Sequence, residues 1–152
     1  MARVYFVTGK GGTGKSTLAR SLAEKISQQN LKVLLLKIDS FSLSISGDDK
    51  AQLKAENFWE HKLHLHKAVE DYFVTTLAKI PVPGLLQKVA LKVQESISSK
   101  LLSNKYVLRF IETCPGLTPA IFLGKVCFEA REGGPQYGER WDVVVVDAPS
   151  TG

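Results

Sequence analysis

Residues 9–17, Gly9-Lys10-Gly11-Gly12-Thr13-Gly14-Lys15-Ser16-Thr17, follow directly on the apolar run Val4-Tyr5-Phe6-Val7. Gly9, Gly14, Lys15 and Ser16 fill the required places of the phosphate-loop pattern Gly-x-x-x-x-Gly-Lys-Ser. The pattern has a geometric cause. Glycines at 9, 11, 12 and 14 let the backbone reach positive φ and turn its N–H groups inward, which makes a concavity for anions. A helix starting near Lys15 points the positive end of its dipole at the same place. In such a loop Lys15 bridges the β- and γ-phosphates, and the Ser16 hydroxyl binds Mg2+. The ligand this stretch implies is a nucleoside triphosphate.

The flanks supply the strand, loop and helix setting that the motif needs. Arg3 to Thr8 reads as a fully buried parallel strand, and Leu18, Leu22 and Ile26 with Ala19 and Ala23 give a helical repeat that ends near Asn30. Lys32 to Asp39 supplies a second buried strand, closing a right-handed βαβ unit. From Ser40 to Asn57 the pattern weakens, which predicts a mobile loop with at most a short helix. A minor strand is expected around Leu63 and Leu65, then a helix through Ala68, Val69, Tyr72, Phe73 and Leu77 that Pro81, Pro83 and Gly84 break. Leu85, Val89, Val93, Ile97 and Leu101 fall at four-residue intervals and define a long helix, continued by Tyr106 to Ile111 and stopped at Cys114-Pro115-Gly116. Thr118 and Pro119 read as cap and first-turn proline of an apolar helix from Ala120 to about Glu129. After a polar turn, Val143 to Val146 form a third buried strand with Asp147 at its carboxyl end, where open α/β sheets place their ligand chemistry.

Asp147 opens a second signature, Asp147-Ala148-Pro149-Ser150-Thr151-Gly152. An acid ending an apolar strand is what Mg2+ beside a phosphate loop requires, usually through a water. Lys10, directly after the first glycine, adds a charge that cannot easily fold back onto its own nucleotide.

These residues carry a family resemblance. The string from Lys10 to Thr17 resembles the deviant phosphate loop of the ParA, MinD and ArsA-like ATPases. The string from Asp147 to Gly152 is similar to the Asp-x-Ala-Pro-Thr-Gly switch of the ArsA-like anion-pump and tail-anchored-protein-targeting ATPases, as are Pro115-Gly116-Leu117 and Leu123-Gly124-Lys125-Val126 to stretches of their bacterial members. The resemblance implies an α/β phosphate-loop fold in three layers, with a mostly parallel sheet and a helical subdomain over residues 58–131 between the second and third core strands. It also implies a cytoplasmic Mg-ATP-dependent homodimeric switch that hydrolyses ATP and acts on a client protein or membrane-associated partner. In that scheme Lys10 reaches the partner's phosphates across the dimer, and Lys15 stabilises the β- and γ-phosphate charge. Thr17 and the backbone of Gly11, Gly12, Thr13, Gly14, Lys15 and Ser16 bind the α- and β-phosphates, while Ser16, Asp39 and Asp147 organise Mg2+.

Two departures stand against the family pattern. Asp39-Ser40-Phe41-Ser42-Leu43-Ser44 replaces the Asp-Pro-Ala-His-Asn stretch and its following acid, so Asp39 alone matches and the water-orienting place falls near Ser46. Slow hydrolysis, or another orienting group, is the consequence. Gly152 also stops inside the switch, so residues 1–152 read as an ATPase domain incomplete at its carboxyl end, with weak nucleotide binding and little turnover of its own. An uncovered edge on the phosphate-loop strand would invite intermolecular pairing.

Composition closes off other classes. The chain has 152 residues, 44% hydrophobic and 23% charged, which suits one globular domain rather than a disordered segment. Cys114 and Cys127 fit neither a disulfide framework nor a thiol metal site and read as buried thiols. No signal peptide or membrane-length apolar run is present in the sequence. His61, His64 and His66 read as surface histidines rather than a metal set, and the thiol cluster of arsenite pumps is not visible, which disfavours arsenite. The net charge of +5 places a basic face along Lys88, Lys92, Lys100, Lys105 and Arg109, read as a solvated helix face, so nucleic acid is not an expected partner. A ParA- or MinD-like surface organiser, which would use that face, and a non-hydrolysing nucleotide-binding module remain the alternative readings. A small-molecule kinase lacks its lid arginines.

Overall fold

The computed structural model describes residues 1–38, 51–64, 68–69, 106, 109–110, 113–133 and 140–150. Among them five strands form one sheet in the order β1-β5-β2-β4-β3: β1 (Arg3–Val7), β2 (Val33–Ile38), β3 (Gln52–Ala55), β4 (Phe58–Leu63) and β5 (Val143–Asp147). The pairs β1·β5, β5·β2 and β2·β4 are parallel, and only β3 runs antiparallel to its neighbour. Helices α1 (Lys15–Ser27) and α2 (Leu117–Glu132) cover opposite faces, which makes the three-layer α/β architecture.

The layers follow from strand alternation. Val33, Leu35, Phe58, Val143 and Val145 point to α1 and pack with Ala19 and Ala23, with Leu22 and Ile26 beside them. Leu34, Leu36, Leu63, Val144 and Val146 point the other way and pack with Ile121, Phe122, Val126 and Ala130 of α2. The alanines let α1 approach the sheet closely. Leu18, expected on that stripe, is instead 62% exposed. On the opposite side, Glu129 is buried and accepts a hydrogen bond from Trp141 Nε1 at 3.3 Å, while Lys125 Nζ lies 3.6 Å from its second oxygen. Trp141 also stacks at a tilt on Trp59, with ring centroids 5.2 Å apart.

Several sequence expectations need correction. Gln52–Ala55 is a strand rather than part of a mobile loop; all four residues are exposed, so it forms through ladder bonds to β4 and leaves no burial pattern to read. Asn57, at φ 58, turns the chain into β4. That strand is no minor piece, since six of its residues pair in register with β2 from Val33↔Phe58 to Ile38↔Leu63. The segment from residue 58, taken as the head of a helical insertion, therefore begins inside the sheet. Helix α2 starts at Leu117, not Ala120, with Gly116 as its N-cap at φ 81, and Thr118 is a buried first-turn residue rather than the cap. Cys127 is exposed and Cys114 only partly covered, so neither is a buried thiol. His61 is 1% exposed, not a surface residue, because it lies on the α2 face of β4 between Trp59 and Leu63. Strand β1 is not fully buried either: Tyr5 is 42% and Phe6 50% exposed. Asp39, the 40–50 loop, His66, the apolar stripe from Leu85 to Leu101, the lysines of the basic face and Thr151-Gly152 lie outside the described residues.

Candidate functional site

The site lies where β1 and β5 end side by side. Their register runs from Arg3↔Val143 to Val7↔Asp147, and Ala148 N extends it by donating to Val7 O at 3.1 Å. The loop leaving Val7 and the segment leaving Asp147 therefore start from one point. They stay close further on, since a Cβ added at Gly11 would lie 3.7 Å from Ser150 Cβ.

Within the loop Gly9 (φ 151), Gly12 (φ 77) and Gly14 (φ 81) take the expected positive φ, whereas Gly11 does not. Gly14 is also the N-cap of α1, and Leu18 N closes the first helical bond onto its carbonyl at 2.9 Å. No side chain caps this helix and no acid occupies its first turn, so the N–H groups of its amino end have no competing anion from their own helix. The ammonium of Lys15 folds back and donates to Lys10 O at 2.8 Å, and the Thr13 hydroxyl donates to the same carbonyl at 2.8 Å. The loop is thus closed on itself with the Lys15 cation across it. The Lys10 side chain is exposed.

Asp147 is 8% exposed. By alternation from Val143 and Val145 it stands on the α1 face, toward the loop and the helix start. A largely buried carboxylate on the face of a helix whose first turn carries the Ser16 hydroxyl supplies, with that hydroxyl, two hard oxygen donors suited to Mg2+. On this observation the residues present fit the metal. The structure thus gathers Gly9, Gly11, Gly12, Thr13, Gly14, Lys15, Ser16, Thr17 and Asp147 at one end of the sheet, with Lys10 at its rim. Asp39, one residue beyond β2, lies outside the described residues.

The family model described as anion-transporting ATPase matches residues 2–152. The chain belongs to this family. Among its relatives, a protein of Aquifex aeolicus named "Putative arsenical pump-driving ATPase 2" is 31% identical over 160 residues, covering 99% of this chain and 46% of the relative. "ATPase BagA" of Mycobacterium tuberculosis is 28% identical over 151 residues, with 99% of this chain and 43% of the relative covered. The chain therefore spans less than half the length of these relatives. Membership agrees with the α/β phosphate-loop architecture seen here, and the resemblance read from residues 10–17 and 147–152 pointed to the same family.

One group of charged residues beside the phosphate loop left little mark on the sequence. Lys37 of β2 donates to Glu60 Oε1 of β4 at 2.9 Å, on the α1 face and in the row next to Asp147. Arg20 of α1 faces the same place: its hydrogen bond to Glu24, the charge of Glu24 and then the charge of Glu60 hold its guanidinium above the ordinary arginine range. The signal was faint but present, since Lys37 interrupts an otherwise apolar strand and Glu60 stands among the β4 residues that pair with it. Among the described residues no helix is long and apolar enough to cross a membrane.

Proposed function

We propose that this chain is the nucleotide-binding part of an ATP-hydrolysing switch that works as a homodimer and couples nucleotide state to a client protein or membrane-associated partner. The observation that carries the reading is the uncapped, acid-free start of α1 behind the left-handed Gly12 and Gly14, with Lys15 folded across the loop and Asp147 beside it. Family membership, and relatives named as ATPases, support the nucleotide-binding ATPase part of this reading.

The roles follow from these positions. Backbone N–H groups from Gly11 to Ser16, with Thr17, receive the α- and β-phosphates at the positive end of α1. When ATP enters, the Lys15 ammonium exchanges the neutral Lys10 carbonyl for anionic β- and γ-phosphate oxygens, so that both partners of the bond are charged. Ser16 and Asp147 would hold Mg2+, with Asp39 as a further carboxylate; the metal's chemistry is to neutralise charge on the transferring phosphate. Lys10, exposed and represented in its own loop only by its carbonyl, is free to act on the partner's nucleotide across a dimer. Strand β1, partly exposed and at the edge of the sheet among the described residues, is compatible with such an assembly.

Calorimetric titration with Mg-ATP tests the first half of this reading. Wild type binds, and Lys15→Ala weakens binding about 30- to 100-fold, the value of ~2–3 kcal/mol for a hydrogen bond to a charged group. Light scattering tests the second half: Mg-ATP doubles the wild-type mass but not that of Lys10→Ala. Equal masses in both proteins remove the trans-acting lysine, and absence of binding heat in wild type removes the nucleotide reading altogether.

A further inference from the structure

The Lys37–Glu60 pair sits where a cation is least welcome. Lys37 and Asp147 are cross-strand neighbours in the β2·β5 register. Val33 and Leu35 on one strand, Val143 and Val145 on the other, pack against α1, so alternation puts Lys37 and Asp147 on that face together. Neighbouring strands lie about 4.8 Å apart, a span that a lysine stem covers easily. Lys37 could therefore pair with Asp147. It does not: the ammonium leans along the sheet to Glu60, whose Oε1 accepts at 2.9 Å.

Two further observations show why Glu60 holds it. The pair is substantially covered, with side-chain exposures of 28% for Lys37 and 18% for Glu60, so the attraction is less screened than on an open surface. Glu60 Oε2 is buried without a hydrogen-bond partner among the described residues, and Arg20 adds positive charge nearby while spending its own hydrogen bond on Glu24. Among the described residues Glu60 thus depends on Lys37 for its one direct donor, and Lys37 finds in Glu60 an acceptor other than Asp147.

We propose that Glu60 is a positioning residue that keeps the Lys37 ammonium off Asp147, so that this carboxylate stays available to Mg2+. The inference rests on the reading of Asp147 as a magnesium acid. Mg2+ dehydrates reluctantly and is usually held through only one or two carboxylates. An ammonium already paired with Asp147 would have to be displaced before the metal entered, and would repel it while it stayed. Glu60 removes both obstacles by giving the lysine another partner on the far side of β2.

The test is titration of Mg2+ into the full chain saturated with a non-hydrolysable ATP analogue, alongside binding of the same analogue without metal. Glu60→Gln keeps the shape of the side chain and loses its charge. It weakens Mg2+ about tenfold, or ~1.4 kcal/mol, and leaves metal-free nucleotide binding unchanged. The double variant Lys37→Met with Glu60→Gln restores wild-type Mg2+ affinity, because the competing cation is gone. Lys37→Met alone binds Mg2+ as tightly as wild type or more tightly, and it carries the test if Glu60→Gln proves unfolded by circular dichroism. Wild-type affinity in Glu60→Gln, failure of the double variant to recover, or weakened Mg2+ binding in Lys37→Met each overturns the proposal. A wild-type protein whose nucleotide binding ignores Mg2+ overturns instead the reading of Asp147 on which it stands.

Discussion

Strands β1 and β2 flank β5 in the same parallel register and carry equally apolar sequences, yet they live in different surroundings. Val33 to Leu36 of β2 are 0% exposed, while Tyr5 and Phe6 of β1 are about half open to solvent at 42% and 50%. The cause is position in the sheet. Strand β2 has β5 on one side, β4 on the other and a helix on each face. Strand β1 has β5 alone among the described residues, and α1 covers it only in part. An apolar run therefore announces a strand, and the neighbours decide whether it is core.

The contrast can be broken by comparing substitutions on the two strands. Leu35→Ala empties a fully buried place between α1 and the sheet and costs about 2–5 kcal/mol in urea unfolding. A loss well under 1 kcal/mol would mean that the centre of the sheet is no better packed than its edge. Gly14→Ala sharpens the comparison from the other side of β1, at the loop it launches. A side chain there meets no atom within 4 Å, so its cost is the left-handed conformation alone, about 1–2 kcal/mol, accompanied by weaker nucleotide binding. Phe6→Ser has the smallest effect, within about 0.5 kcal/mol, because its ring is already half in water. If Phe6→Ser instead unfolded the protein or dispersed an oligomer seen by light scattering, β1 would be covered in solution by another strand.

How much could be read in advance depended on whether a feature left a mark on side chains. The phosphate loop did, since its glycines and Lys15 are required by local backbone geometry, and the left-handed Gly12 and Gly14 stand where that geometry asks. The β1–α1–β2 opening and the strand ending at Asp147 were legible for a similar reason: their apolar runs are bounded by punctuation close in sequence. Strand β3 was not, because an edge strand held by backbone bonds, with Gln52, Leu53, Lys54 and Ala55 all exposed, buries nothing. Strand β4 was hard to read because Glu60, His61 and Lys62 interrupt its apolar pattern, and their burial or pairing depends on β2 and on the helices on the two faces of the sheet. The helix stripe misassigned Leu18 because one turn of periodicity cannot say where a helix leaves the sheet's edge.

Sequence alone determined the family, the βαβ opening, the anion-binding loop and the acid ending β5, because each is set by residues within a few positions of one another. Only the tertiary structure decided that β2 is central among the described strands, that Glu129 is buried under Trp141, and that Lys37 leans to Glu60 and not to Asp147. These depend on which strands become neighbours, and strand order is settled by burial summed across the whole sheet rather than by any one segment.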